Sequence, residues 1–170
     1  MRWTLMVCGW LILGSGTAPA QEKKAEGLPA DVVAAWEKAG AEVGWMGPSH
    51  RPFGVLEFAA RREGLAATRV VPAFRIKIWR EGMLTKVPAS AQAFGLDLSF
   101  SGMTDAGLKE LASLKQLTSL YLGGTQVTDA GLKELAPLKQ LTYLELGSTK
   151  VTGAGVKELE KALPRCRITR

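Results

Sequence analysis

Val127-Thr128-Asp129-Ala130-Gly131-Leu132-Lys133-Glu134-Leu135-Ala136 is the stretch on which the reading of the chain turns, because it occurs three times. An earlier copy is Met103-Thr104-Asp105-Ala106-Gly107-Leu108-Lys109-Glu110-Leu111-Ala112. A weaker later copy is Val151-Thr152-Gly153-Ala154-Gly155-Val156-Lys157-Glu158-Leu159. The copies begin at 103, 127 and 151, a constant step of 24 residues. A fixed period of this length is the mark of a short solenoid, in which each unit buries its apolar face against its neighbours.

The residues ahead of each copy repeat too. Leu117-Thr118-Ser119-Leu120-Tyr121-Leu122-Gly123-Gly124-Thr125 is followed by Leu141-Thr142-Tyr143-Leu144-Glu145-Leu146-Gly147-Ser148-Thr149 and preceded by Ala93-Phe94-Gly95-Leu96-Asp97-Leu98-Ser99-Phe100-Ser101. Paired leucines two apart put both side chains on one face of a strand. Ser101, Thr125 and Thr149 follow, and their hydroxyls are expected to turn inward onto loop backbone groups. The second half of each unit reads as a helix. Thr128 or Asp129 caps it, Leu132 and Leu135 face inward, and Pro137 ends it. Gly131 suggests close approach of the helix to the sheet. Asp105 and Asp129 read as caps, and Glu110, Glu134 and Glu158 as a solvated charged face. One unit alone offers about six aliphatic side chains at ~1.5–3 kcal/mol each. Backbone ordering opposes this at ~1–2 kcal/mol per residue, so stability requires stacked neighbours and caps.

These residues resemble leucine-rich repeats. The Val-Thr-Asp-Ala-Gly-Leu-Lys-Glu-Leu form is similar to the subclass in F-box ubiquitin-ligase adaptors and to arrays in secreted bacterial proteins. The resemblance covers 93–163. It implies an α/β fold: a short curved solenoid with parallel strands on the concave face and helices on the convex face. It also implies protein binding as the commonest use. No F-box is recognisable, and Ser101, Thr125 and Thr149 stand where that subclass usually has Cys or Asn.

Around the repeats, residues 1–20 read as a secretory signal peptide. Arg2 leads an apolar run, and Ala18-Pro19-Ala20 offers the small residues of a cleavage site after Ala20. The run of about 11 residues is short for the ~20 that span a bilayer, so the mature chain is expected to have no membrane span and to be secreted or periplasmic. A lipoprotein cut at Cys8 is the other reading. Residues 21–29 form a polar linker. Residues 30–92 read as an N-terminal α+β cap over the open end of the core. In it, a helix at 31–39 is capped by Asp31 and carries Val32, Val33 and Trp36 on one face. A strand at 41–45 and turn chemistry at 46–52 follow. Residues 53–62 are helix or strand. A strand near 67–79 has Ile76 and Ile78 inward, a degenerate repeat set 20 residues ahead of Leu96 and Leu98. Residues 164–170 close the other end, with Cys166 and Ile168 inward. Removal of Cys8 would leave Cys166 without an intrachain partner, as a core thiol or one open to another chain.

Chemistry is sparse. His50 is the single histidine and reads as a solvated loop residue. There is no Cys-x-x-Cys and no phosphate-binding Gly-rich loop. No catalytic residue, metal site or cofactor is expected. The net charge of +6 is mild and interspersed, and does not point to nucleic acid. Residues that repeat are explained by the repeat, so function is expected where the units differ. Between the paired leucines stand Asp97, Tyr121 and Glu145, with Lys77 in the degenerate unit. Adjacent columns hold Phe94, Ser119 and Tyr143, and Phe100, Gly124 and Ser148. Aromatics beside charges on one face fit a protein- or peptide-recognition patch. The other reading is an envelope-associated structural protein that self-associates or contacts cell-wall polysaccharide.

Overall fold

The computed structural model describes residues 27–48, 56–62, 65 and 70–170. The expected leader and His50 lie outside the described residues. Within them, one sheet of seven strands runs β2-β1-β3-β4-β5-β6-β7. Strands β1 (Glu42–Pro48), β2 (Leu56–Ala59) and β3 (Val71–Arg75) pair antiparallel. From β3 onward, β4 (Phe94–Asp97), β5 (Leu117–Tyr121), β6 (Tyr143–Glu145) and β7 (Arg167–Thr169) are parallel. The sheet curls, and the helices lie on one side of it. They are α1 (Ala30–Lys38), α2 (Asp105–Leu111), α3 (Asp129–Leu132, continued as a 3-10 turn to Leu135) and α4 (Gly153–Ala162).

The core lies between sheet and helices, where Leu96, Leu98, Leu120, Leu122, Leu144 and Leu146 meet Leu108, Leu111, Leu132 and Leu135. Thr125 and Thr149 donate their hydroxyls to the carbonyls of Leu122 and Leu146 at 2.5 and 2.7 Å, closing the turn after each strand as the pattern predicts. Ser101 departs from this, since its buried hydroxyl has no partner.

The aspartates act differently from the local reading. Asp105 caps nothing in its own helix. Its carboxylate accepts from the Thr128 backbone N–H at 2.8 Å and hydroxyl at 2.7 Å, one unit later. Asp129 does the same for Thr152, at 2.7 and 2.6 Å. Thr128 and Thr152 in turn cap α3 and α4 by accepting from Ala130 and Ala154. Each aspartate therefore staples its helix to the start of the next. This explains the glycines: a Cβ on Gly131 or Gly155 would collide with the Asp105 or Asp129 carboxylate. The close approach is of helix to helix, not of helix to sheet.

The N-terminal segment covers the first repeat with aromatics. Trp36 of α1 stacks on Phe74 at 4.3 Å, and both meet Phe94 edge-on at 5.8 and 5.9 Å. Asp31 sits inside the first turn of α1 and makes no side-chain cap; Pro29 holds the N-cap position. Met46, Gly47 and Pro48, expected in a turn, extend β1, because β2 and β3 pair with it on both sides. Residues 56–59 resolve the helix-or-strand ambiguity as β2. Glu110 is no bystander on a solvated face either: it accepts from the backbone N–H groups of Gly82 and Leu84 at 2.6 and 3.1 Å, tying the cap to α2. At the far end Cys166 and Ile168 are partly buried against the core. Cys166 is a free thiol, and burial pushes its pKa up to about 12.

Candidate functional site

The helix-free face carries two rows fixed by strand register. One runs Ala73, Gly95, Ser119, Tyr143, Arg167; the other runs Arg75, Asp97, Tyr121, Glu145, Thr169. Five of the expected residues, Asp97, Ser119, Tyr121, Tyr143 and Glu145, therefore share one face. Phe94 does not. The register slips between Phe94 and Gly95, so Gly95 takes the place beside Ser119 while Phe94 turns into the core. Lys77 is not in the row either. The step from cap strand to first repeat is 22 residues, as in the Arg75–Asp97 contact, not 20. Arg75 holds the row position, and the strand has ended before Lys77 and the 67% exposed Ile78.

The face is more covered than a solvated sheet would be. Tyr121, Asp97 and Ser119 retain 8%, 7% and 7% of their exposure. The cover comes from the β1–β2 hairpin, whose Met46 and Phe58 join Ala73, Tyr121 and Tyr143 in a second apolar cluster. Small residues make room for it. A Cβ on Gly95 would lie 2.8 Å from the Met46 sulfur, and one on Gly44 would lie 2.6 Å from the Phe58 ring.

Charge on this face is largely paired. Arg75 Nε donates to Asp97 Oδ2 at 2.7 Å, and its guanidinium lies 4.1 Å from the Phe58 ring centroid. Asp97 Oδ1 accepts from the Ser99 N–H at 3.0 Å. Lys77 pairs with Glu42 at 2.5 Å. Glu145 accepts from the Gly147 N–H at 2.6 Å and from Gly123. Burial nonetheless holds its carboxyl above the ordinary glutamate value. Tyr121 and Tyr143 lie 5.5 Å apart with rings tilted by 39°. The Tyr143 hydroxyl is 3.3 Å from that of Thr169. The Tyr121 hydroxyl is buried with no partner. Burial, with Tyr143, Asp97, Glu145 and Glu57 nearby, pushes its pKa far up and keeps the phenol neutral.

A groove of about 380 Å³ opens at the C-terminal ends of β3, β4 and β5. Glu57 and Phe58 line it from β2, Arg75, Asp97 and Tyr121 from the strand ends, and Lys77, Ser99 and Phe100 from the turns beyond. Phe100, Gly124 and Ser148 form the expected column, all with positive φ (57°, 66° and 56°). A bulky side chain in that region is strained. The Phe100 ring lies directly over Gly124, where any Cβ would strike it, and the residue is 79% exposed. Arg75, Phe58 and Glu57 were not legible as site residues. Counting 22 back from Asp97 would have found Arg75. Nothing local marks Phe58 or Glu57, because β2 reaches the face only through tertiary pairing. A second groove, of about 590 Å³, lies between α3 and α4 and includes Leu132, Ala136, Leu159 and Ala162. None of the buried unpartnered polar atoms is in it.

A family model described as Leucine Rich repeat matches residues 96–112 and 114–136. The chain is a leucine-rich repeat protein. The matched residues span β4 through the 3-10 turn after α3, which is the first repeat and most of the second. No curated protein matches the chain. Leucine-rich repeats are typically a non-enzymatic interaction architecture, which suggests a protein partner. Among the described residues, no group of three or more His, Cys, Asp or Glu is placed to hold a metal ion. Among them also, no helix is long and apolar enough to cross a membrane.

Proposed function

We propose that this leucine-rich repeat protein is a non-enzymatic recognition module that binds a protein or peptide segment on its helix-free sheet face. The groove at the ends of β3–β5 is the contact centre. The leader-like residues 1–20 place the protein outside the cytosol, secreted or periplasmic, in this reading. The observation that carries it is the groove: it combines an exposed, strained ring (Phe100) with buried polar groups (Tyr121, Asp97) on an apolar floor. Interfaces concentrate their energy in such aromatic anchors ringed by polar groups.

Selection of a displayed random-peptide library against the purified chain tests the reading. Selected peptides should lose at least about tenfold in affinity with Phe100→Ala/Tyr143→Ala, equal to about 1.4 kcal/mol. They should keep their affinity with Lys133→Ala/Lys157→Ala on the helices. Loss confined to the helix variants would move the site to the convex side and overturn the proposal.

A further inference from the structure

We propose that the groove selects its partner by a basic side chain, with an arginine or lysine of the bound segment seated between Glu57 and Phe100 against Tyr121. This rests on the reading of the sheet face as the binding surface. The argument begins with the charges in the groove. Asp97 is neutralised by Arg75, and Lys77 by Glu42. Glu57 lines the same groove with no ion pair. On the next strand Glu145 bonds only backbone N–H groups. Arg167 stands at the opposite edge of the face, on β7. The surplus charge beside Tyr121 is therefore negative.

The protein already shows how a guanidinium is held here. Arg75 takes a carboxylate through Nε and an aromatic ring through its flat face. Glu57 and Phe100 supply a second carboxylate and a second ring to the same groove, with no cation between them. One side of the Phe100 ring rests on Gly124, and its high exposure leaves the rest open to solvent. An exposed ring face attracts Arg or Lys by about 0.5–1 kcal/mol, and more when water is excluded.

Tyr121 is an independent observation. It is more than nine-tenths buried, it lines the groove, and its hydroxyl bonds nothing. Its oxygen accepts a hydrogen bond from a guanidinium or ammonium N–H once the Phe58 side chain above the face yields. A carboxylate ligand would instead face Glu57, Asp97 and Glu145 together.

The test is a positional-scanning peptide library with pools fixed as Arg, Lys, Leu, Phe or Glu, bound to the full chain. The Arg or Lys pools should bind at least about tenfold tighter than the Glu and Leu pools, and the preference should weaken at high salt. Glu57→Gln should reduce the preference to about twofold or less, and Phe100→Leu should lower Arg and Lys binding with the fold intact by circular dichroism. Leu or Phe pools that bind as tightly as Arg would overturn the inference. So would a basic preference that survives both variants. In either case, sensitivity to Phe100→Ala/Tyr143→Ala would leave the sheet face standing as the site. Failure of every pool to bind would overturn the inference and the binding reading together.

Discussion

Tyr121 holds a hydroxyl that nothing in the protein satisfies. An unpartnered buried hydroxyl costs about 1–3 kcal/mol, so its removal is expected to help the fold. Tyr121→Phe should raise unfolding free energy by about 1 kcal/mol in urea titration. A destabilised variant would mean that the hydroxyl has a stabilising bond after all. The variable position was legible as a site from its place between Leu120 and Leu122. Its burial was not. The side chains that cover it, Met46 and Phe58, come from 75 and 63 positions away in sequence (121 − 46 and 121 − 58). The same limit explains Lys77 and Phe94. Alternation in a short strand fixes a face only if the register is known, and a single bulge at Phe94/Gly95 moves a side chain from one face to the other.

At the scale of the element, the repeat is held together by what each helix does for the next. The Asp129 carboxylate is held below its ordinary value of 3.8 by the Thr152 hydroxyl, then by the Thr152 N–H. Folding therefore favours the ionised form. The stabilisation is present above the unfolded value and is lost as pH falls through the lower folded one. Asp129→Asn should be less stable than the wild type at neutral pH, and the gap should close near pH about 3 or below. Thermal melts of both proteins across that range decide it; a gap that does not change with pH would remove the charge from the explanation. The period and the Thr-Asp pair were visible in the sequence. The pair read as a local cap because capping is the commonest local use of Asp. Its true partner lies 23 residues on, a contact that exists only once two units stack. Gly131 follows the same logic, since its lack of a Cβ answers a carboxylate on another helix.

For the molecule as a whole, the antiparallel β2-β1-β3 segment continues the parallel repeats as one sheet, and α1 lays Trp36 over Phe74 and Phe94. Phe94 and Phe74 are fully buried by this contact. Buried aromatics each hide about 150–250 Å². A 93–170 fragment would expose Phe94 and the β4 edge together. It is expected to aggregate or to lose a cooperative melt. A soluble fragment with a sharp transition would show that the repeats close their own core without the cap.

The sequence by itself determined the repeat, its period, the inward leucines, the Thr125 and Thr149 turns, and the five residues that share the sheet face. These follow from patterns that recur within 24 residues, where spacing and side-chain direction are set by local geometry. Only the tertiary structure decided which cap residue meets Asp97, what covers Tyr121, and why Asp105 and Asp129 recur. Each of those depends on contacts between distant segments. Such contacts obey no period, and their register is selected by packing rather than by local preference.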